Sequence, residues 1–77
     1  MDTHQYKERI IADPDIMMGK PVIKGTRITV ELILKKLSDG ISIEELLEAY
    51  PHITKEDILA ALSYSADVIS QEELIAP

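Results

Sequence analysis

Three segments in the second half of the chain carry apolar residues at helical spacing, and each follows a residue that can cap a helix. The apolar positions are Val30, Ile33, Leu34 and Leu37 in the first segment, Ile43, Leu46, Leu47 and Tyr50 in the second, and Ile58, Leu59, Leu62, Ala66 and Ile69 in the third. The caps are Thr29, then Ser42 with Glu45, then Thr54 with Asp57. Three short helices must cross over a shared apolar centre to bury these stripes. The pattern predicts a three-helix bundle, either a helix-turn-helix domain or a small bundle with no role in nucleic-acid binding.

The first third of the chain lacks this periodicity. Two short apolar runs, at Arg9–Ala12 and Val22–Ile23, are bounded by turn-forming residues and predict short strands. They could pair as a hairpin or add to the sheet edge of another chain. The predicted fold class is therefore mainly α, with one domain over residues 9–70, a flexible arm over residues 1–8 and a C-terminal tail over residues 71–77.

The core of this domain must be small and aliphatic, because the 77 residues include no Phe, Trp or Cys. Domains of this size usually need disulfides, a metal or self-association for stability, and the lack of Cys excludes disulfides and thiolate metal sites. We therefore expect a homodimer. Leu32 and Tyr64 point away from the predicted apolar stripes, which makes them candidate self-association contacts. No apolar run is long enough to span a bilayer, so we expect a cytoplasmic protein without membrane contact.

Charge is divided unevenly along the chain, which has a formal net charge of -6. Residues 1–36 hold seven Lys or Arg and five acids, whereas residues 37–77 hold one Lys and nine acids. The face of helix three opposite its predicted stripe is acidic, with Glu56, Asp57, Ala60, Ser63, Tyr64, Asp67 and Gln71. Because base and phosphate contacts normally use cations and amides, DNA binding would have to use other residues. The candidate DNA-binding residues are Lys20, Lys24, Arg27, Lys35 and Lys36.

The C-terminal segment, residues 68–77, is both apolar and acidic. It could extend helix three, fold back on the domain, or dock on another protein. The compact three-helix unit does not need its aliphatic side chains, so we predict that it contacts a protein partner. The candidate partner-binding residues are Val68, Ile69, Glu72, Glu73, Leu74 and Ile75.

No pattern typical of catalysis is present. His4 and His52 lie far apart in the sequence, and Asp13 and Asp15 flank a proline, as turn formers do. The segment from Gly19 to Thr26 does not match the order of residues in a phosphate-binding loop. We therefore expect a protein that is not an enzyme, with no metal and no cofactor.

Two blocks of sequence, MGKPVIKGTRIT at 18–29 and DGISIEELLEAYPHITKEDILAALSYSAD at 39–67, resemble the family called domain of unknown function 433. The family pairs a GGKPVIKGTRIPV-like block with a G-x-S-x-E-E-L/I-L-x-x-Y-P-x-L/I-T block at this spacing, and the resemblance covers roughly residues 9–70. Two positions depart from the family pattern: Met18 stands where Gly is usual, and Thr29 stands where Pro is usual. Thr29 can still cap helix one, whereas Met18 is expected to alter the turn before Lys20.

This resemblance implies a homeodomain-like helix-turn-helix and a role as a VapB-type antitoxin, whose toxin is a PIN-like ribonuclease. The function that we expect is a non-enzymatic, dimeric antitoxin-like protein that neutralises such a nuclease with its acidic C-terminal part and binds operator DNA with its basic N-terminal part. The alternative is a protein–protein interaction module that makes no contact with DNA.

Overall fold

A computed structural model describes residues 5–75, together with the side chains of residue 6 and residues 8–71. Along the chain these residues form a 3-10 helix (Gln5–Glu8), β1 (Ile10–Ile11), a second 3-10 helix (Met17–Gly19), β2 (Val22–Ile23), α1 (Val30–Ser38), α2 (Ile43–Ala49) and α3 (Lys55–Ile75). The predicted fold class is confirmed: the protein is mainly α, with three helices and a short antiparallel sheet of two strands.

The two strands pair with each other as a hairpin. Ile10 lies opposite Ile23, and Ile11 lies opposite Val22. A two-stranded hairpin is only marginally stable by itself, but Val22 and Ile23 are almost completely buried. The core of the bundle therefore holds the hairpin in place.

The segment Lys24–Arg27 makes the turn between β2 and α1. Gly25 has a φ of 81°, in the left-handed region that glycine adopts without strain. The hydroxyl of Thr26 donates to the carbonyl of Ile23 at 2.7 Å and accepts from the amide of Ile28 at 3.0 Å. Gly25 and Thr26 therefore have a structural role in the turn.

All three predicted helix caps are present. Thr29 Oγ1 accepts from the amide of Leu32 at 3.0 Å. Ser42 and Glu45 exchange side-chain and backbone hydrogen bonds, and so do Thr54 and Asp57. Each cap gives a partner to amide groups that a helix N-terminus leaves without one. The three helices therefore begin where the sequence predicts.

The core collects residues from both strands, the three helices and the turn before α3. Its buried members are Ile10, Ile23, Val30, Ile33, Leu46, Ile53, Ile58, Ala60 and Ala61. Leu37 and Leu47 are half-buried against them, whereas Leu34 is exposed although the α1 stripe includes it.

The buried face of α3 differs from the prediction. Leu59 and Leu62 belong to the predicted stripe but are 39% and 37% exposed, whereas Ala60 belongs to the predicted outer face and is buried with Ala61. The physical reason is that α3 carries apolar residues on both sides, so periodicity alone does not show which side packs inward. Small alanine side chains on the inner side allow the neighbouring elements to approach closely.

The N-terminal segment also differs from the expected loose arm over residues 1–8. Residues 5–8 form a 3-10 helix, and the hydroxyl of Tyr6 donates to Asp67 Oδ2 in α3 at 2.8 Å. The rings of Tyr6 and Tyr64 meet edge to face, with centroids 5.5 Å apart. Tyr64 thus packs within one protomer, and Leu32 is half-buried as well, in contrast to the outward positions predicted for both. Residues 1–4 lie outside the described part of the chain.

α3 has 21 residues and is longer than the sequence predicts. It includes residues 71–75, so the C-terminal segment extends helix three, which is one of the arrangements that the sequence leaves open, and the expected boundary after residue 70 falls inside a helix. In the described part of the chain, no helix has the length and apolar character needed to cross a membrane.

Candidate protein-binding groove

An open groove of about 330 Å³ lies between α1 and the C-terminal half of α3. It is lined by Pro21, Val30, Glu31, Leu34, Tyr64, Ser65, Val68 and Ile69. The groove arises because α3 is more than twice as long as α1, which has nine residues. Beyond Ala61, no residue of α3 within the described side chains is buried.

The apolar character of the groove comes from side chains that the fold leaves exposed. Leu34, Val68 and Ile69 are large aliphatic residues on its walls, and Ile69 is 54% exposed. Val68 and Ile69 were predicted from the sequence to contact a partner, and the fold brings them together with Leu34, which the sequence assigned to the core. Side chains at the other predicted partner positions, Glu72, Glu73, Leu74 and Ile75, lie outside those that the structure describes.

Two polar contacts border the groove. Lys20 Nζ lies 3.1 Å from Glu31 Oε1, and both side chains are largely exposed. On the α3 side, Tyr64 is held by the ring of Tyr6. The hydrogen bond from Tyr6 to Asp67, together with partial burial, raises the pKa of the Tyr6 hydroxyl above its usual value. Glu31 and Tyr64, which line the groove, thus each contact a residue outside α1 and α3.

The five predicted DNA-binding cations fall into two sets. Lys20 pairs with Glu31, and Lys35 Nζ lies 3.3 Å from Asp39 Oδ1. The described part of the chain shows no ion pair for the other three, Lys24, Arg27 and Lys36. Lys24 and Arg27 are exposed on the turn before α1, and Lys36 is half-buried on α1.

The solvent face of α3 is apolar over much of its length, which the sequence analysis missed. Leu59, Leu62, Ala66 and Ile69 are exposed there, while Asp57 and Asp67 of the predicted acidic face are half-buried. Asp57 pairs with Arg9, with 3.0 Å between Oδ1 and Nη1. The signal for this face was present in the sequence, because apolar residues at helical spacing cover more of α3 than one core stripe needs.

Among the described residues, no three His, Cys, Asp or Glu side chains come together as a metal site would require. Asp13 Oδ1 accepts from the amide of Asp15 at 2.9 Å, which is the turn contact that the sequence predicts. His52 is exposed in the turn before α3, and His4 lies outside the described residues.

The sequence model of one protein family, described as a protein of unknown function (DUF433), matches residues 10–65. These residues include the hairpin, α1, α2 and the first half of α3. The chain belongs to the DUF433 family. The match ends just before Val68, so the outer part of the groove lies beyond the segment that the family model covers.

A crystal structure of a DUF433 member from Anabaena variabilis has a similar fold, with a TM-score of 0.77 and 33% sequence identity. The match covers 90% of this chain and 69% of that one. An uncharacterised protein of Sinorhizobium fredii, y4eO, is 37% identical over 64 residues, which are 83% of this chain and 29% of that protein. An uncharacterised protein of Archaeoglobus fulgidus is 62% identical over 24 residues, which are 31% of this chain and 67% of that protein. The chain thus spans less than a third of the length of the Sinorhizobium relative.

Proposed function

We propose that this DUF433 protein is an antitoxin-like, non-enzymatic protein that holds a protein partner in the groove between α1 and α3. The observation that supports this is the set of aliphatic side chains, Leu34, Val68 and Ile69, that the fold leaves exposed together on the groove walls. An apolar patch bordered by polar residues is typical of a protein-binding surface. A groove between two helices suits an amphipathic helix, whose apolar residues would lie between α1 and α3.

The partner class that we propose is a PIN-like ribonuclease, as the resemblance noted from the sequence implies, and the complex would form in the cytoplasm. Such a nuclease holds its metal with acidic side chains, and the C-terminal part of this chain is acidic too. Placing like charges together in a cleft of low dielectric constant is unfavourable. Docking beside the nuclease site, where it blocks the entry of RNA, is therefore the favoured mechanism.

The test uses the product of the adjacent gene, co-expressed and assayed for ribonuclease activity with and without this protein. Leu34→Glu should reduce both binding and inhibition at least about tenfold, because burying an unpaired carboxylate in an apolar contact is costly. Met17→Glu is the matched control, since Met17 is 39% exposed but lies outside the groove and outside α3.

Truncation after Asp67 provides a second variant. It removes Val68 and Ile69 but keeps all the buried core residues, which end at Ala61. We expect the helical fold to persist while the complex loses about 1.5–3 kcal/mol for each aliphatic anchor removed. Full inhibition by both the Leu34→Glu and the truncated proteins would contradict the proposed site.

DNA binding is a second candidate function, supported by the three cations that have no ion pair in the described part of the chain, Lys24, Arg27 and Lys36. This candidate includes the homeodomain-like helix-turn-helix arrangement expected from the resemblance. The alternative is a protein-binding module that does not touch DNA. The two differ in salt-dependent retention on a DNA duplex, because phosphate contacts weaken steeply as the salt concentration rises.

A further inference from the structure

The solvent face of α3 carries a stripe of exposed apolar residues that neither the core nor most of the groove uses. The stripe consists of Leu59, Leu62, Ala66 and Ile69, and Ile69 alone also borders the groove. Leu59, Leu62 and Ile69 are each more than a third exposed. A helix with apolar residues on both its core side and its solvent side is usually buried between two partners. The stripe is therefore the part of α3 that a second partner would cover.

The spacing along the stripe is three, four and three residues, which reads the same in both chain directions. Such a pattern is self-complementary about a twofold axis, as the contact between two identical chains requires. Two antiparallel copies aligned at the middle of the stripe would place Leu59 opposite the partner's Ile69 and Leu62 opposite the partner's Ala66. Apolar residues at alternating spacings of three and four form the seam between paired helices.

Charge favours the antiparallel arrangement of this pair. Lys55, in the first turn of α3, is the last basic residue of the chain, and the C-terminal part that follows is acidic. Glu56 and Asp57 share that first turn, so the attraction is confined to Lys55 itself. With the helices aligned at the middle of the stripe, an antiparallel pair places position 55 of each helix at the level of position 73 of the other, a glutamate, whereas a parallel pair would bring Lys55 beside its own copy. Antiparallel helix dipoles also attract each other.

We propose that a second copy of this chain covers the α3 stripe, so that two α3 helices pack antiparallel across a twofold axis. This interface goes beyond the proposed function, because it assigns the self-association surface to the solvent face of α3. It shares Ile69 with the groove and leaves Leu34 and Val68 as the groove residues that a different protein would contact. It differs from the self-association contacts expected from the sequence, Leu32 and Tyr64, which are half-buried within one protomer.

Disulfide cross-linking can test both the contact and its direction, because the chain has no Cys of its own. Leu59→Cys and Ile69→Cys proteins are prepared separately, checked for helical content, mixed, and oxidised gently. The antiparallel pair predicts a covalent dimer that joins Cys at 59 of one copy to Cys at 69 of the other. Either protein alone should link slowly, since two copies of position 59 would lie about 15 Å apart along the axis at 1.5 Å per residue.

Leu59→Cys mixed with Met18→Cys measures the rate of random collision, because Met18 is 93% exposed and lies outside α3. A rate for the 59–69 mixture well above that control supports the proposal. A rate equal to the control overturns it, and so does equally fast linking of Leu59→Cys alone, which would indicate a different arrangement.

Sedimentation of the full chain gives an independent measurement. Because the interface is small, the unmodified protein should be a dimer at protein concentrations of tens of micromolar. The Leu62→Glu protein should be a monomer with unchanged helical content. Leu34→Glu, at the groove, should remain a dimer. A monomeric unmodified protein, or a Leu62→Glu protein that stays dimeric, would overturn the proposal. Neither result depends on the nuclease assay, so this proposal and the proposed function can fail separately.

Discussion

At the scale of single residues, the turn before β2 holds three consecutive residues in the left-handed backbone region. Met17, Met18 and Gly19 have φ values of 49°, 58° and 83°. Glycine adopts this conformation without cost, whereas a residue with a Cβ is strained there by about 1–2 kcal/mol. Met18 stands where the pattern that the sequence resembles has Gly, and its almost fully exposed side chain contributes little burial to offset the strain.

We therefore expect Met18→Gly to stabilise the protein. The relief of strain exceeds the extra chain entropy of glycine, so the free energy of unfolding should rise by about 0.5–1 kcal/mol in urea denaturation. Gly25→Ala is the converse control: Gly25 has a φ of 81° and open space around its Cα, so the change adds strain without a clash. It should lower the free energy of unfolding by about 1–2 kcal/mol. If Met18→Gly instead lowers the free energy of unfolding, the methionine side chain stabilises the fold by more than the strained backbone at this position destabilises it.

At the scale of elements, the helices depend on their N-terminal caps. α2 has seven residues, too few for a stable helix in isolation, and both α2 and α3 begin with a reciprocal pair of hydrogen bonds. In α2, two hydrogen bonds with Ser42 lower the pKa of the Glu45 carboxyl. The bond from the Ser42 backbone amide has the larger effect, and the bond with the Ser42 side chain has the smaller one. Ser42→Ala should cost about 1 kcal/mol of stability, as is typical of cap removal.

The lowered pKa of Glu45 also gives a pH dependence. Because the pKa is lower in the folded state, the ionised carboxylate stabilises the fold above its unfolded pKa, and that contribution disappears as the pH falls through the folded pKa. Glu45→Gln keeps an acceptor oxygen but cannot titrate, so its free energy of unfolding should fall less between pH 6 and pH 3 than that of the unmodified protein. Glu44→Gln removes the same charge one residue earlier, outside the capping pair. Equal acid sensitivity of the Glu45→Gln and Glu44→Gln proteins would contradict this role for Glu45.

At the scale of the whole molecule, the fold decides which cations remain free to bind an anion. Lys20 and Lys35 lie beside Glu31 and Asp39 in exposed ion pairs, which are weak, whereas the turn before α1 presents Lys24 and Arg27 without an acidic partner in the described part of the chain. A molecule of net charge -6 needs such a local basic surface to approach DNA at all.

If the protein binds DNA, replacing both Lys24 and Arg27 by Ala should weaken binding to every duplex sequence. It should also reduce the slope of log K against log salt concentration by about 0.9 for each lost phosphate contact. The matched control replaces Lys20 and Lys35 by Ala, which removes the same charge from paired positions and should have a smaller effect. Fluorescence anisotropy with a random duplex, titrated at a series of salt concentrations that starts from low salt, measures both the affinity and the slope. If the unmodified protein shows no binding, the DNA-binding candidate is wrong and the protein-only alternative stands.

Local patterns determine the features that the sequence alone predicts correctly. The caps at Thr29, Ser42 and Thr54, and the starts of all three helices, depend on side chains within three residues of the backbone groups that they bind. The sequence did not decide whether β1 and β2 pair with each other or with a strand of another chain. Only the folded structure decides this, because strands of two residues do not determine their own partner.

The candidate site depended on tertiary structure. Val68 and Ile69 could be singled out as apolar residues beyond the core, but only packing shows that Leu34 joins them and that Tyr6 holds Tyr64 beside the groove. The same is true of the face of α3. Leu59 and Ala60 are both apolar and adjacent in sequence, and the side of the helix that meets the hairpin and α1 decides that Ala60 is buried and Leu59 exposed. Periodicity within a helix fixes which residues share a face, whereas the elements packed against the helix decide which face is buried.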